Sequence, residues 1–255
     1  MQDLADQEIE GIARLAERAT AAAGRRLREA KTEWTSVDSQ VGRDIKLRAD
    51  REAEALVLAT LAEGSAYPVL TEESGRVGDI GDGRPYWVVD PLDGTYNYFR
   101  EVPLCCVSVA LCTGNEPRFG CIFDFNRQEM FTGGIGRPFC CNGAPLSSPG
   151  GAEFLATGLP RKGDFSADRL TRFGPHVATW KQVRLIGSAA LSLAWTAAGR
   201  FDAYEETGIL WWDVAAGVAL VRAAGGQVSV SGDVLGGTLD VRAYRQDPNA
   251  RVKLS

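Results

Sequence analysis

Apolar residues recur at helical spacing through residues 4–29 (Leu4, Ile9, Ile12, Leu15, Ala19), which predicts a first long helix. The polar run KTEWTSVDSQVGR follows and reads as a loop. In DIKLRADREAEALVLATLAEG, residues 44–64, one face carries Ile45, Ala49, Ala53, Leu56, Val57 and Leu61, and Gly64 stops a second helix. YPVLTEE and YWVVD read as strands on either side of the turn-rich VGDIGDGRP. Between 103 and 141 the pattern changes to PLCCVSVALC, PRFGCIFDF, QEMFTGG and RPFCC, strands separated by short turns, as in an antiparallel meander. Beyond NGAPLSSPGG it alternates: strand FLATG, helix 164–174, strand KQVRLIG, helix 188–199, strand DAYEE, helix 213–224 and strand QVSV. The expected fold is therefore α/β, with an α+β half over 1–145 and a smaller α/β half over 146–255.

Composition narrows the partners more than the fold. A net charge of −5 with no polybasic stretch argues against nucleic acid. The longest apolar stretch, AALSLAWTAAG, is too short to span a bilayer, so no membrane role is expected. The N-terminal stretch lacks the basic and apolar regions of a secretory signal, and a cytoplasmic protein is expected. Six cysteines without a CxxC spacing read as free thiols in a reducing compartment. The one histidine, His176, falls just after a predicted helix and reads as structural or solvated.

The chemistry lies in acids at element ends. Glu72 and Glu73 sit in LTEESG, Asp90 and Asp93 in DPLDGT, and Asp213 in LWWDVAAG. Taken singly they are loop charges, an Asx-turn residue or a helix N-cap. As a set of oxygen donors with almost no histidine in the chain, they suit Mg²⁺ or Mn²⁺. Pro91 restricts the backbone so that the Leu92 carbonyl can join them, and Gly94 lets a ligand approach. GTYNYF can then open a short helix whose N–H groups face a phosphate, with the Thr95 hydroxyl alongside. These are the parts of a metal-assisted phosphoester hydrolase acting on a small phosphate ester.

WVVDPLDGTYNYF, preceded by LTEESG and followed by GSAALSLAWTAAGRFDAYEETGILWWDVAAGVALVRAAGG, resembles the inositol monophosphatase family of lithium-sensitive, Mg²⁺-dependent sugar and polyol phosphatases over roughly residues 44–232. The resemblance implies a layered α-β-α-β-α sandwich, a homodimer, and two or three Mg²⁺ per site, with Mn²⁺ as the alternative. It implies that Glu72, Asp90 and the Leu92 carbonyl hold the first metal and that Asp90, Asp93 and Asp213 hold the second. Gly94 and Thr95 would bind phosphate, and Thr95 with Asp50 and Glu72 would orient the attacking water. Gly187, Ser188, Ala189 and Glu206 fall where the family contacts the alcohol. Strand alternation favours Glu206 over Glu205 for that contact.

The chain departs from the family at Lys46–Leu47, where a valine–threonine pair is usual, and near Ser39, where a loop lysine is usual. Lys46 either supplies that missing charge from the helix or is a solvated residue, and the second reading is preferred. Other phosphatase chemistries fit worse. A haloacid dehalogenase phosphatase needs two aspartates two residues apart, and here the spacing is three. Cys112 and Arg118 have the C-x5-R spacing of cysteine phosphatases but flank a hairpin turn, where a thiolate lacks helix support. A non-catalytic, partner-binding member of the same fold is the rival from another class. Among substrates, inositol monophosphate leads, ahead of fructose bisphosphate, a 3′-phosphonucleotide and histidinol phosphate.

Overall fold

In the computed structural model of the protein, residues 6–31, 33–41, 44–81, 83–146, 153–159 and 167–246 are described. Helix α1 (Asp6–Glu29) is followed by the strands β1 (Val37–Val41) and β2 (Asp44–Leu47), then by α2 (Arg48–Ala62). Next come β3 (Val69–Thr71), β4 (Gly75–Val77), β5 (Pro85–Asp93) and the short α3 (Thr95–Phe99). The meander is β6 (Cys106–Thr113), β7 (Glu116–Asp124), β8 (Glu129–Gly134), β9 (Arg137–Cys141) and β10 (Ala144–Pro145). These strands form a sheet in the order β10-β9-β8-β7-β6-β5-β3-β4, antiparallel except where β3 runs parallel to β5. The chain continues through β11 (Phe154–Thr157), α4 (Ala167–Ala178), β12 (Gln182–Arg184), α5 (Ala189–Ala197), β13 (Ala203–Ile209), α6 (Trp211–Ala223), β14 (Gln227–Gly232) and β15 (Leu239–Tyr244). A second sheet has the order β12-β11-β13-β15-β14.

The layers follow from which faces are apolar. α1 and α2 present one stripe each, and Leu27, Ala53, Val57 and Leu61 pack with Trp87, Val89 and Val109 of the first sheet. α5 and α6 have no polar stripe, because they lie between the two sheets. Every residue of α5 is buried, and one core cluster joins Leu191 and Val218 to Val88 on one side and Val241 on the other. Trp180, just after α4, covers Leu155 on the outer side of the second sheet. The result is the mixed α/β, five-layer sandwich that the resemblance implies.

Several sequence expectations are corrected. Residues 37–41 and 44–47 are not a loop and a helix start but a hairpin, β1 against β2, so α2 begins only at Arg48. Short runs with one apolar residue in two, such as DIKL, satisfy either period. Lys46 therefore lies on β2, half-buried, and its ammonium pairs with Glu73 rather than being solvated. α4 extends to Ala178, which puts His176 inside its last turn, with Nε2 3.0 Å from Glu205. α6 starts two residues before Asp213. β4 and β15 add strands that the pattern did not single out. Leu4 and residues 164–166 of the predicted helices lie outside the described residues.

Candidate active site

β3 and β5 run side by side and parallel, so their C-terminal ends open at the same edge of the sheet. Glu72 follows the last residue of β3, and Asp90 ends the regular pairing of β5 with β6 at Ser108. The register then slips between Asp90 and Asp93, which lets Pro91 and Leu92 bulge before Asp93 pairs with Cys106. Asp90 Oδ1 accepts the Leu92 N–H at 3.0 Å within that bulge. Gly94 follows at φ +90°, and a Cβ there would lie 2.7 Å from the Leu104 carbonyl, so glycine alone fits the entry to α3.

Asp213 arrives from the other half of the chain. It is the third residue of α6, and its Oδ2 accepts the Leu210 N–H at 3.0 Å. Asp50 does the same on the other side of the first sheet: as the third residue of α2, its Oδ2 accepts the Leu47 N–H at 2.7 Å. Each is the acidic half of a capping box, since the leucine at the cap has no acceptor to return the bond.

Glu72, Asp90 and Asp213 each place a carboxylate oxygen within 4.8 Å of the others, with Asp90 and Asp213 buried. Three like charges at that spacing repel strongly in a poorly solvated place, and a hard divalent cation offsets the repulsion. The donor set, carboxylates with the Leu92 carbonyl at hand, fits Mg²⁺ or Mn²⁺ rather than a soft metal. Asp93 lines the same cleft but lies outside that trio. Its Oδ2 accepts the Ser188 hydroxyl at 2.6 Å and the Ala190 N–H at 2.7 Å, which anchors the start of α5.

Asp50 sits behind the cleft wall. Its Oδ1 lies 2.9 Å from the Thr95 hydroxyl, which also lies 3.0 Å from the Leu92 carbonyl. The hydroxyl has one proton and donates it to one of these at a time, leaving its lone pairs to face the cleft. Burial pushes the Asp50 carboxyl up to about 7, against the opposing Leu47 N–H, and the nearby Glu72 charge adds to the rise. Positive charge brought beside Glu72 reverses that last contribution.

The cleft, about 220 Å³, is lined by Glu72, Asp90, Leu92, Asp93, Gly94 and Thr95 on one side, where Asp213 joins Glu72 and Asp90, and by Gly187, Ser188, Ala189 and Glu206 on the other. Alternation along β13 resolves the glutamate pair. Glu206 faces the cleft and accepts the Tyr204 hydroxyl at 2.8 Å, whereas Glu205 binds the Tyr244 hydroxyl and His176 away from it. Glu73 is turned out of the cleft toward Lys46. Cys112 is buried in β6 and Arg118 lies on β7, so the C-x5-R spacing builds no phosphate loop.

Sequence reasoning missed the floor and far wall. Thr157, Gly158, Leu159, Ser192 and Ile209 also line the cleft; the first three belong to no motif, and the last two lie inside the resembling stretch at positions its chemistry does not mark. At Gly158 a Cβ would come within 2.1 Å of the Glu206 carboxylate, so the absence of a side chain there is what gives Glu206 its place. Asn97 was missed as well; its amide donates to the Leu104 and Ile186 carbonyls at 2.7 and 2.8 Å and ties α3 to the segment before α5.

A sequence model described as the inositol monophosphatase family matches residues 8–245. Among characterised relatives, a protein named Nus factor SuhB from Pseudomonas aeruginosa is 38% identical over 205 residues, 76% of this chain and 75% of that protein. An inositol-1-monophosphatase from Mesorhizobium japonicum is also 38% identical, over 192 residues that make up 73% of this chain and 72% of that one. Among solved structures, an extragenic suppressor protein suhB from Bartonella henselae superposes with a TM-score of 0.82 at 30% identity, covering 95% of this chain and 96% of that one. The inositol monophosphatase from Anabaena gives 0.81 at 31%, covering 97% of both chains. Sequence order, layered sandwich and acid trio thus agree, and the chain belongs to the inositol monophosphatase family.

Proposed function

We propose that the protein is a Mg²⁺-dependent phosphomonoesterase that hydrolyses a small polyol or sugar phosphate, inositol monophosphate first among them. The observation that carries this reading is the convergence of Glu72, Asp90 and Asp213 within 4.8 Å, in the cleft that Thr95 lines. Family membership supports a phosphatase.

Glu72, Asp90, Asp213 and the Leu92 carbonyl would hold the cations, with Asp93 completing the set. When bound, Mg²⁺ neutralises charge on the phosphoryl group and acidifies water. The protein's own residues do the positioning. The first-turn amides at Gly94 and Thr95 have no partner within α3 and receive phosphate oxygens. The Thr95 lone pairs accept a hydrogen bond from the attacking water, because Asp50 or Leu92 engages the hydroxyl proton. Asp50 then takes the proton passed through that hydroxyl as the P–O bond to the alcohol breaks, and the leaving alkoxide takes a proton from solvent water, in a direct attack without a phosphoenzyme. Across the cleft, Glu206, fixed by Tyr204, accepts hydrogen bonds from ring hydroxyls, and Ile209 and Leu159 offer apolar contact to ring carbons.

Phosphate release from a panel of esters, with Mg²⁺ and with EDTA, tests the reading. Preferential Mg²⁺-dependent turnover of polyol monophosphates is expected, and no turnover of any ester by loaded protein overturns it. A homodimer is proposed alongside: Tyr96, Val102 and Leu185 expose apolar side chains on segments that Asn97 ties together. Light scattering giving a monomer mass would remove that part. The six cysteines are all free, which supports a reducing, cytoplasmic setting. No helix among the described residues is long and apolar enough to cross a membrane. A second reading, a partner-binding role, is favoured by the relatives named Nus factor SuhB. It predicts a folded protein that retains its partner contacts when Asp213 is neutralised.

A further inference from the structure

α2 carries two buried carboxylates one turn apart, Asp50 and Glu54. Four residues of spacing put both on the same face of the helix. Asp50 reaches Thr95. Glu54 does not line the cleft, yet its carboxylate collects four donors from one short segment. Oε2 accepts the Thr71 hydroxyl at 3.0 Å, the Glu73 N–H at 3.1 Å and the Ser74 N–H at 3.3 Å. Oε1 accepts the Ser74 hydroxyl. All these donors flank Glu72, the residue whose side chain enters the cleft. The Glu72 N–H itself bonds the Val89 carbonyl at 3.3 Å, so the turn is fixed to β5 at one residue and to α2 at the next two.

We propose that Glu54 is the positioning residue for Glu72, holding the turn at 71–74 so that the Glu72 carboxylate meets Asp90 and Asp213, and that it thereby sets the affinity of the site for divalent cations. This rests on the reading of those three acids as metal ligands. The physical argument is one of rigidity. A carboxylate at the tip of a free turn loses conformational freedom each time a cation binds, and a turn already ordered by buried hydrogen bonds has lost it beforehand. One rigid helix then registers both stations of the N-terminal wall, Thr95 through Asp50 and Glu72 through Glu54.

The test is Glu54→Gln, which puts an amide nitrogen against a cluster of donors. Mg²⁺ and Mn²⁺ binding would be measured by calorimetry on the purified chain without substrate, beside hydrogen exchange of the Glu73 and Ser74 amides. Outer partners of metal ligands typically govern affinity by roughly 10- to 100-fold, and a loss of that size with faster exchange at 73–74 is expected. Raising Mg²⁺ should restore kcat, and exchange confined to 73–74 in metal-free protein separates this from a general loss of stability. Unchanged Mg²⁺ affinity in folded Glu54→Gln overturns the proposal. If the unaltered protein binds neither cation, the metal reading fails and the proposal falls with it, a result distinct from the first. Should Glu54→Gln not fold, the double variant Thr71→Val/Ser74→Ala removes both hydroxyl donors and leaves both amides on Glu54. It should weaken Mg²⁺ binding about threefold to tenfold, less than Glu54→Gln because both amides stay bonded to Glu54, and unchanged affinity again overturns the proposal.

Discussion

On the N-terminal wall of the cleft, Asp90, Asp93 and Thr95 are each fixed by hydrogen bonds of the side chain itself. The C-terminal wall is made differently: Gly158, Gly187 and Ala189 present little but backbone, and Glu206 is the one long polar side chain among the residues that line it. The first wall determines where charge sits. The second determines what shape can lie beside it. Changes on the first wall should therefore alter every substrate alike, and changes on the second should separate one substrate from another.

The largest expected effect comes from removing the cation. EDTA should abolish phosphate release, Mg²⁺ should restore it, and millimolar lithium should inhibit; full activity in metal-free buffer would end the proposal. Asp213→Asn and Asp93→Asn come next. Each removes one negative charge from the site, for a loss of roughly 10²–10³ in rate on a polyol phosphate and on an aryl phosphate equally. Near-normal turnover by either folded variant at saturating Mg²⁺ contradicts the assignment. On the opposite wall, Glu206→Ala should raise KM for a polyol phosphate about tenfold or more, the usual worth of a charged hydrogen bond, and leave an aryl phosphate nearly unchanged. Gly158→Ala should mimic it by displacing the same carboxylate, which a Cβ would approach within 2.1 Å. Equal losses on both esters would erase the distinction between the walls. Tyr204→Phe is the mildest change: it frees Glu206 without moving charge, and about threefold to tenfold in KM for the polyol ester alone is expected.

The same contrast explains what the sequence disclosed. Asp90, Leu92, Asp93, Gly94 and Thr95 are contiguous, because a single bulged strand end and helix entry make most of the first wall. Such a stretch is readable as a motif. Thr157, Gly158 and Leu159 meet the rest of the cleft only after the second sheet and α5 have packed, so no local pattern marks them. The layered fold was legible because the periods of α1 and the meander are strong. The β1–β2 hairpin was not, since its strands of five and four residues carry too little pattern to outweigh the adjoining helix. Glu54 was within reach: an acid four residues after Asp50, on a face otherwise apolar, is a buried charge that needs partners.

Asp50 and Asp213, both proposed to serve the cleft, also accept an N–H at the starts of α2 and α6. Each of these hydrogen bonds is worth about 0.5–1.5 kcal/mol net to the start of its helix. Neutralising either aspartate should therefore weaken a helix start together with the site. Loss of Asp50 or Asp213 is thus a folding defect and a site defect at once, and the two are cleanly separated at Glu206, which lies on β13 and caps no helix.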